Sequence, residues 1–80
     1  MKRQIGIVLH SERGLVQKLY DQLVSELAKN DVSGFELNSD NQSSVSNCEM
    51  VVVLGGDGTI LKAVEMIHGF DIPILGINLG

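Results

Sequence analysis

Apolar positions follow two rhythms along this chain of 80 residues. Ile5-Gly6-Ile7-Val8-Leu9 is an unbroken apolar run rich in β-branched side chains, the pattern of a buried strand. His10-Ser11-Glu12-Arg13-Gly14 breaks the run, and from Leu15 the period changes. Leu15, Leu19, Leu23 and Leu27 recur every four residues, with Val16, Tyr20, Val24 and Ala28 widening the same stripe. Lys18, Asp21, Gln22, Ser25 and Lys29 lie elsewhere, so the segment predicts an amphipathic helix facing a core, stopped at Asn30-Asp31. Gly34-Phe35-Glu36-Leu37 alternates weakly and predicts a second strand, followed by a polar loop from Asn38 to Asn47. Met50-Val51-Val52-Val53-Leu54 is the clearest buried strand. Ile60, Leu61, Val64 and Ile67 then mark a second helix, Gly69 supplies its stop, and Pro73 opens a last strand, Ile74-Leu75-Gly76-Ile77.

Continuous apolar strands alternating with helices predict an α/β layered sheet, mostly parallel, with right-handed crossovers and flanking helices. The connection between the second and third strands is barely long enough for a parallel crossover, which makes the second strand the weakest element of this reading. No internal repeat is visible. At this length one small domain, residues 1–80, is the expectation, with a core that buries only about 60% of the unfolded surface.

Composition changes this picture little. An apolar fraction of 44% with 20% charged residues is that of an ordinary water-soluble domain. No apolar stretch approaches the ~20 residues that span a bilayer, and Met1-Lys2-Arg3-Gln4 leads straight into the first strand without a signal-type apolar region. A cytoplasmic location is the default expectation, with no membrane partner. The net charge of −4 and scattered basic residues argue against a nucleic-acid surface. The single cysteine, Cys48, has no partner for an internal disulfide and agrees with a reducing compartment; catalytic and redox roles for it lack support.

The chemistry concentrates at Gly55-Gly56-Asp57-Gly58-Thr59, which follows a buried strand and opens a helix. Ligands of open α/β sheets bind outside the carboxyl ends of the strands. Glycines let backbone approach a phosphate, and the unpaired N–H groups of a helix start attract it. The dinucleotide pattern Gly-x-Gly-x-x-Gly fails, because Leu61 stands at the third glycine's place after Gly56 and Gly58, and no P-loop lysine pattern is present. Asp57 is the unusual residue, since a carboxylate at the centre of an anion-binding turn repels phosphate. It caps the helix, binds a divalent cation beside the phosphates, or holds a hydroxyl that attacks a phosphoryl group.

Gly-Gly-Asp-Gly-Thr after a buried strand is similar to the loop shared by NAD kinases, diacylglycerol and sphingosine kinases and, in close variants, phosphofructokinases. Gly58-Thr59-Ile60-Leu61-Lys62-Ala63 and Ile72-Pro73-Ile74-Leu75-Gly76-Ile77-Asn78-Leu79-Gly80 narrow the resemblance to the NAD kinase family. Lipid kinases carry Asn-Glu soon after the Thr, where this chain has Ile60-Leu61. The resemblance implies a Rossmann-like N-terminal nucleotide-binding domain, with the β-rich second domain of the fold outside these 80 residues. It implies transfer of the γ-phosphoryl of ATP to the adenosine ribose 2′-hydroxyl of NAD, giving NADP, with a divalent cation, magnesium by expectation. Asp57 resembles the family's proton acceptor, which also contacts the NAD ribose; Gly58 and Lys62 match NAD-contacting positions. Gly55, Gly56 and Thr59 belong by resemblance to the loop holding the ATP phosphates, and no residue here is assigned to the metal. NAD and ATP are the expected small-molecule partners, with a homo-oligomer expected for the full-length protein and no activity expected from these residues alone. The alternatives are a lipid or sugar-phosphate kinase of the same loop type, or a non-catalytic nucleotide-binding module.

Chemistry limits Asp57 in any of these kinases. A carboxylate is too weak a base to hold a sugar hydroxyl's proton early, but a loose phosphoryl-transfer transition state needs little prior deprotonation. Asp57 is therefore expected to orient the hydroxyl and take its proton late. Among the other polar residues, His10 reads as a loop histidine at the end of the first strand, with a place in the crevice as the second possibility. His68 reads as a helix-terminal cation complementing the dipole. Asn78 ends the last strand within possible reach of the site. Tyr20, Phe35 and Phe70 read as core or edge packing.

Overall fold

The apolar runs Ile5–Leu9 and Met50–Leu54 become strands buried on both faces of the sheet. In the computed structural model, which describes residues 3–10 and 14–79, the element order is β1 (Arg3–Leu9), α1 (Leu15–Lys29), β2 (Val32–Glu36), a 3₁₀ segment (Gln42–Asn47), β3 (Met50–Gly55), α2 (Asp57–Met66) and β4 (Ile74–Asn78). The four strands form one sheet in the order β2-β1-β3-β4, and every neighbouring pair is parallel. The β3 side chains alternate strictly. Val51 and Val53 join Val8, Ala63, Met66 and Ile67 under α2, while Val52 and Leu54 join Ile5, Ile7 and Val32 under α1. That two-sided burial is why β1 and β3 read as continuous apolar runs rather than alternating ones.

The α1 stripe packs as its period requires. Val16, Leu19, Tyr20, Leu23, Val24 and Leu27 lie against the sheet, whereas Leu15 is 63% exposed at the first helical position and Ala28 faces solvent. Asn30 caps the helix, and Asp31 takes a left-handed φ of 61° to turn the chain into β2. Gly34 of β2 is where α1 comes closest to the sheet, since a Cβ there would lie 2.9 Å from Leu27 Cδ1.

The weakly patterned second strand is real, but displaced toward Val32. The connection from β2 to β3 is long enough because it passes over a single strand, β1. Within it the expected polar loop holds a 3₁₀ segment whose Val45 is fully buried and packs with Leu37 under the α2 side of the sheet. Gly6 makes room for this crossover: a Cβ there would lie 3.3 Å from both Cys48 Sγ and Leu37 Cδ2.

The α2 stripe differs from the expected one. Thr59, Ala63, Met66 and Ile67 are the buried positions, and Ile60 packs at the β4 side, while Leu61 and Val64 are 65% and 47% exposed. Small Thr59 and Ala63 let the helix sit close on β3, so the contact face is chosen by size and not by the largest apolar side chains. His68 falls just beyond the helix, which is capped at Ile67, and Gly69 turns the chain with φ 91°. Phe70 is 43% exposed rather than packed. β4 is an edge strand, and Leu75 and Ile77 remain 50% and 39% exposed on it.

Candidate active site

The strand order fixes where a ligand can enter. From β1 the chain first adds β2 on one side, then returns to add β3 and β4 on the other, so the connections diverge between β1 and β3. Such a switch point is where open parallel sheets leave a crevice beyond their carboxyl ends. Here those ends are Leu9-His10 and Gly55-Gly56, tied together by the His10 N–H donating to the Leu54 carbonyl at 3.0 Å.

The expected five-residue loop is shorter than the sequence suggested. Gly55 is the last residue of β3, Gly56 is the N-cap in an extended conformation, and Asp57, Gly58 and Thr59 already form the first turn of α2. The glycines serve two purposes. A Cβ on Gly55 would lie 2.6 Å from Thr59 Oγ1 and 3.2 Å from His10 Cβ, so this position carries the tight strand-to-helix junction. A Cβ on Gly56 or Gly58 would meet nothing within 4 Å, so these two leave the helix start open to a ligand. The first-turn N–H groups have no acceptor within the helix, and the dipole adds positive potential there.

Thr59 is turned inward, 7% exposed, yet it lines the crevice and its hydroxyl makes no side-chain hydrogen bond among the described residues. Asp57 is exposed, and no side chain caps α2, because the N-cap is Gly56. Asp57 thus makes no side-chain cap, and as a first-turn acid it complements the helix dipole, beside the cation and hydroxyl roles. At about 100° per residue, Asp57 and Lys62 are about 140° apart around the helix. The structure therefore does not bring these two together: Lys62 borders the β1 side of α2, and Asp57 lies on its outer side.

Two clefts open beside α2, each of about 260 Å³. The first is lined by Leu9, His10, Gly56, Gly58, Thr59 and Lys62. The second runs under the β2 end, with Glu36, Asn38 and Ser39 at its rim, and shares Leu9, His10 and Lys62 with the first. His10 is therefore a crevice residue, against the reading of it as a plain loop histidine. The rim from Glu36 to Ser39 was not legible in the sequence; its signal was its position just after a strand adjoining β1. Asn78 pairs with Gly55 in the sheet register and stands at the opposite flank. Cys48 lies away from the site, and burial pushes its thiol above the ordinary range, as suits an unreactive packing residue.

The comparisons with known proteins bear on the same segment. Residues 7–80 match the family model described as the ATP-NAD kinase N-terminal domain. The chain belongs to the NAD kinase family. A curated NAD kinase of Natranaerobius thermophilus is 33% identical across 98% of this chain, and one of Bifidobacterium longum subsp. infantis is 38% identical across 99%. One of Corynebacterium diphtheriae reaches 50% identity over 58% of the chain. The chain spans 32%, 26% and 14% of those relatives' own lengths, so it corresponds to a minor part of each. The α/β sheet with its helices is accordingly the N-terminal domain of this family. Among the described residues no helix is long and apolar enough to cross a membrane.

The divalent cation implied by the resemblance can be tested against the donor set. No group of three His, Cys, Asp or Glu side chains among the described residues forms a cage. A magnesium ion is typically held by one or two carboxylates plus substrate phosphates. Asp57, a single exposed carboxylate at the helix start, fits that arrangement and not a cation bound by protein alone.

Proposed function

We propose that the full-length protein is an ATP-dependent NAD kinase, moving the γ-phosphoryl of ATP onto the adenosine ribose 2′-hydroxyl of NAD to give NADP. The observation that carries this reading is Asp57: an uncapping, exposed carboxylate on the first turn of a helix whose free N–H groups open at the switch point of the sheet. A phosphate site alone would need no acid there. The open Gly56 and Gly58 positions allow the phosphoryl group to lie against backbone N–H groups, which offset the charge on its equatorial oxygens in transfer. Thr59 offers its unbonded hydroxyl to the same anion, and Gly55 keeps Thr59 seated by leaving space for it. Asp57 orients the acceptor hydroxyl and receives its proton as the new O–P bond forms. A divalent cation, held by Asp57 and the phosphates, would supply charge neutralisation.

The family membership supports NAD as acceptor, and the chain spans only 14–32% of the lengths of the three relatives compared. The 80-residue chain by itself is therefore expected to form no NADP. The test is an NADP-formation assay on the full-length protein with ATP and NAD, run beside phosphorylation of diacylglycerol. NADP formation without lipid phosphorylation supports the proposal. Lipid turnover, or nucleotide binding without any turnover, contradicts it.

A further inference from the structure

The two faces of the sheet are covered unequally at β4. Leu75 stands beside Val52 and Ile77 beside Leu54 in the parallel register, and Val52 and Leu54 belong to the cluster under α1. Paired residues of neighbouring strands present their side chains on one face, so Leu75 and Ile77 point to the α1 side as well. Gly76 between them faces α2, where a Cβ would lie 3.1 Å from Ile60 Cδ1. α1 packs over β2, β1 and β3, and both Leu75 and Ile77 stay exposed beyond it. Between helix and strand lies a groove of about 280 Å³, its apolar floor formed by Leu19, Leu23, Leu54 and Ile77 and its rim by Gln22 and Glu26. Among the described residues it shares no lining with the two clefts beside α2.

The uncovered strip has the width of a helix. Strands lie about 4.8 Å apart and packed helices about 8–10 Å apart, so a helix beside α1 would be centred about two strands further along, over β3 and β4. The connections of the described fold do not provide one. The step from β1 to β2 passes on the α1 side, whereas the steps in the other direction, from β2 to β3 and from β3 to β4, pass on the α2 side. Right-handed crossovers require this, and a strand added beyond β4 would again bring its connection over the α2 side.

Size discriminates between the possible occupants. Six of the described residues line the groove, where a stable contact between separate proteins takes about 20–30 residues a side. A second copy or a free partner gains too little there. A segment of the same chain needs no such area, because its tether supplies a high effective concentration. The relatives have the length for one: this domain spans 32% and 26% of two NAD kinases that match nearly all of it.

We propose that in the full-length protein an amphipathic helix from the part of the chain downstream of this domain lies beside α1, with its apolar stripe in the groove against Leu23, Leu54 and Ile77. The downstream part is thereby anchored to the face of the sheet opposite α2. The inference rests on the fold and the family membership, and it stands whichever hydroxyl Asp57 serves.

The test is photo-crosslinking of the full-length protein with p-benzoylphenylalanine in place of Gln22 and, separately, of Glu26. Both positions are exposed on the groove rim, so neither probe enters the core. Equal amounts of ¹⁴N- and ¹⁵N-labelled protein are mixed, irradiated and digested, and the joined peptides are identified by mass spectrometry. The expected product joins α1 to a downstream peptide whose apolar residues recur at helical spacing, in pairs of a single isotope and with a yield unchanged on dilution. Mixed-isotope pairs would place a second copy in the groove and overturn the inference. Crosslinks confined to residues 1–80, or none at either probe, would leave the groove open to water and overturn it as well.

Discussion

Replacing Gly55 by alanine tests the junction that seats the candidate site. The backbone there is not in the left-handed region, so the whole effect comes from the added methyl group. That methyl would lie 2.6 Å from Thr59 Oγ1, 2.9 Å from Thr59 Cβ and 3.2 Å from His10 Cβ. Rotating Thr59 could relieve the contact with the hydroxyl. It could not relieve the one with Cβ, which the helix backbone holds in place. The start of α2 must therefore lift off β3, and overpacking of this kind costs about 1–3 kcal/mol. In the full-length protein this appears as a melting temperature lower by several degrees. Moving the first-turn N–H groups should also raise the KM for ATP by about tenfold, since small misplacements of binding groups are costly. Adding Thr59→Ala to Gly55→Ala removes the 2.6 Å contact and should recover part of the stability. Gly58→Ala is the control: with nothing within 4 Å it should change stability by less than about 0.5 kcal/mol, while its methyl group still weakens ATP binding. Gly55→Ala with unaltered melting and unaltered KM would refute the tight-junction account.

Two further predictions concern the scaffold. Val45, fully buried in the 3₁₀ segment, should cost about 2 kcal/mol when changed to alanine, measured by denaturant unfolding; a neutral result would mean that the crossover does not close the core. The bidentate Arg3–Glu49 pair, with a 2.6 Å contact, ties β1 to the residue preceding β3, and its hydrogen bond holds the Glu49 carboxyl below its ordinary range. A carboxyl depressed in the folded state contributes stability above its unfolded pKa and loses it as pH falls through the folded value. Glu49→Gln should therefore flatten the acid side of the stability profile slightly and leave neutral-pH stability nearly unchanged, because the pair is exposed.

The strands were legible wherever both faces of the sheet are covered, as at Ile5–Leu9 and Met50–Leu54, since apolar continuity then carries the signal. Val32–Glu36 was harder, because Ser33, Gly34 and Glu36 interrupt its apolar run at the sheet edge. The α2 contact face was misread for a physical reason. Leu61 and Val64 are the larger apolar residues, but close approach to β3 selects Thr59 and Ala63. The single buried anchor of the crossover, Val45, has no periodic neighbours to announce it among serines and asparagines. At the site, Gly55 to Thr59 was legible as a glycine-rich turn opening a helix, but the helix begins at Asp57, earlier than the five-residue loop implied. The separate tasks of Gly55, against Gly56 and Gly58, depend on interatomic distances that no pattern encodes. His10 and the Asn38-Ser39 rim reach the crevice only through the strand order, which places both beside the β3 end.

The central claim is that Asp57 serves the acceptor hydroxyl in phosphoryl transfer. The direct measurement is the steady-state rate of NADP formation by full-length wild type and Asp57→Asn, with NAD affinity measured separately by titration. Asparagine keeps the size and a hydrogen-bond acceptor but takes up a proton far less readily. The account predicts that kcat falls by about 10²–10⁴, the usual contribution of a positioned proton acceptor, while the Kd for NAD changes by only a few-fold. A variant with near-normal kcat, or one whose loss lies wholly in NAD affinity, would contradict it.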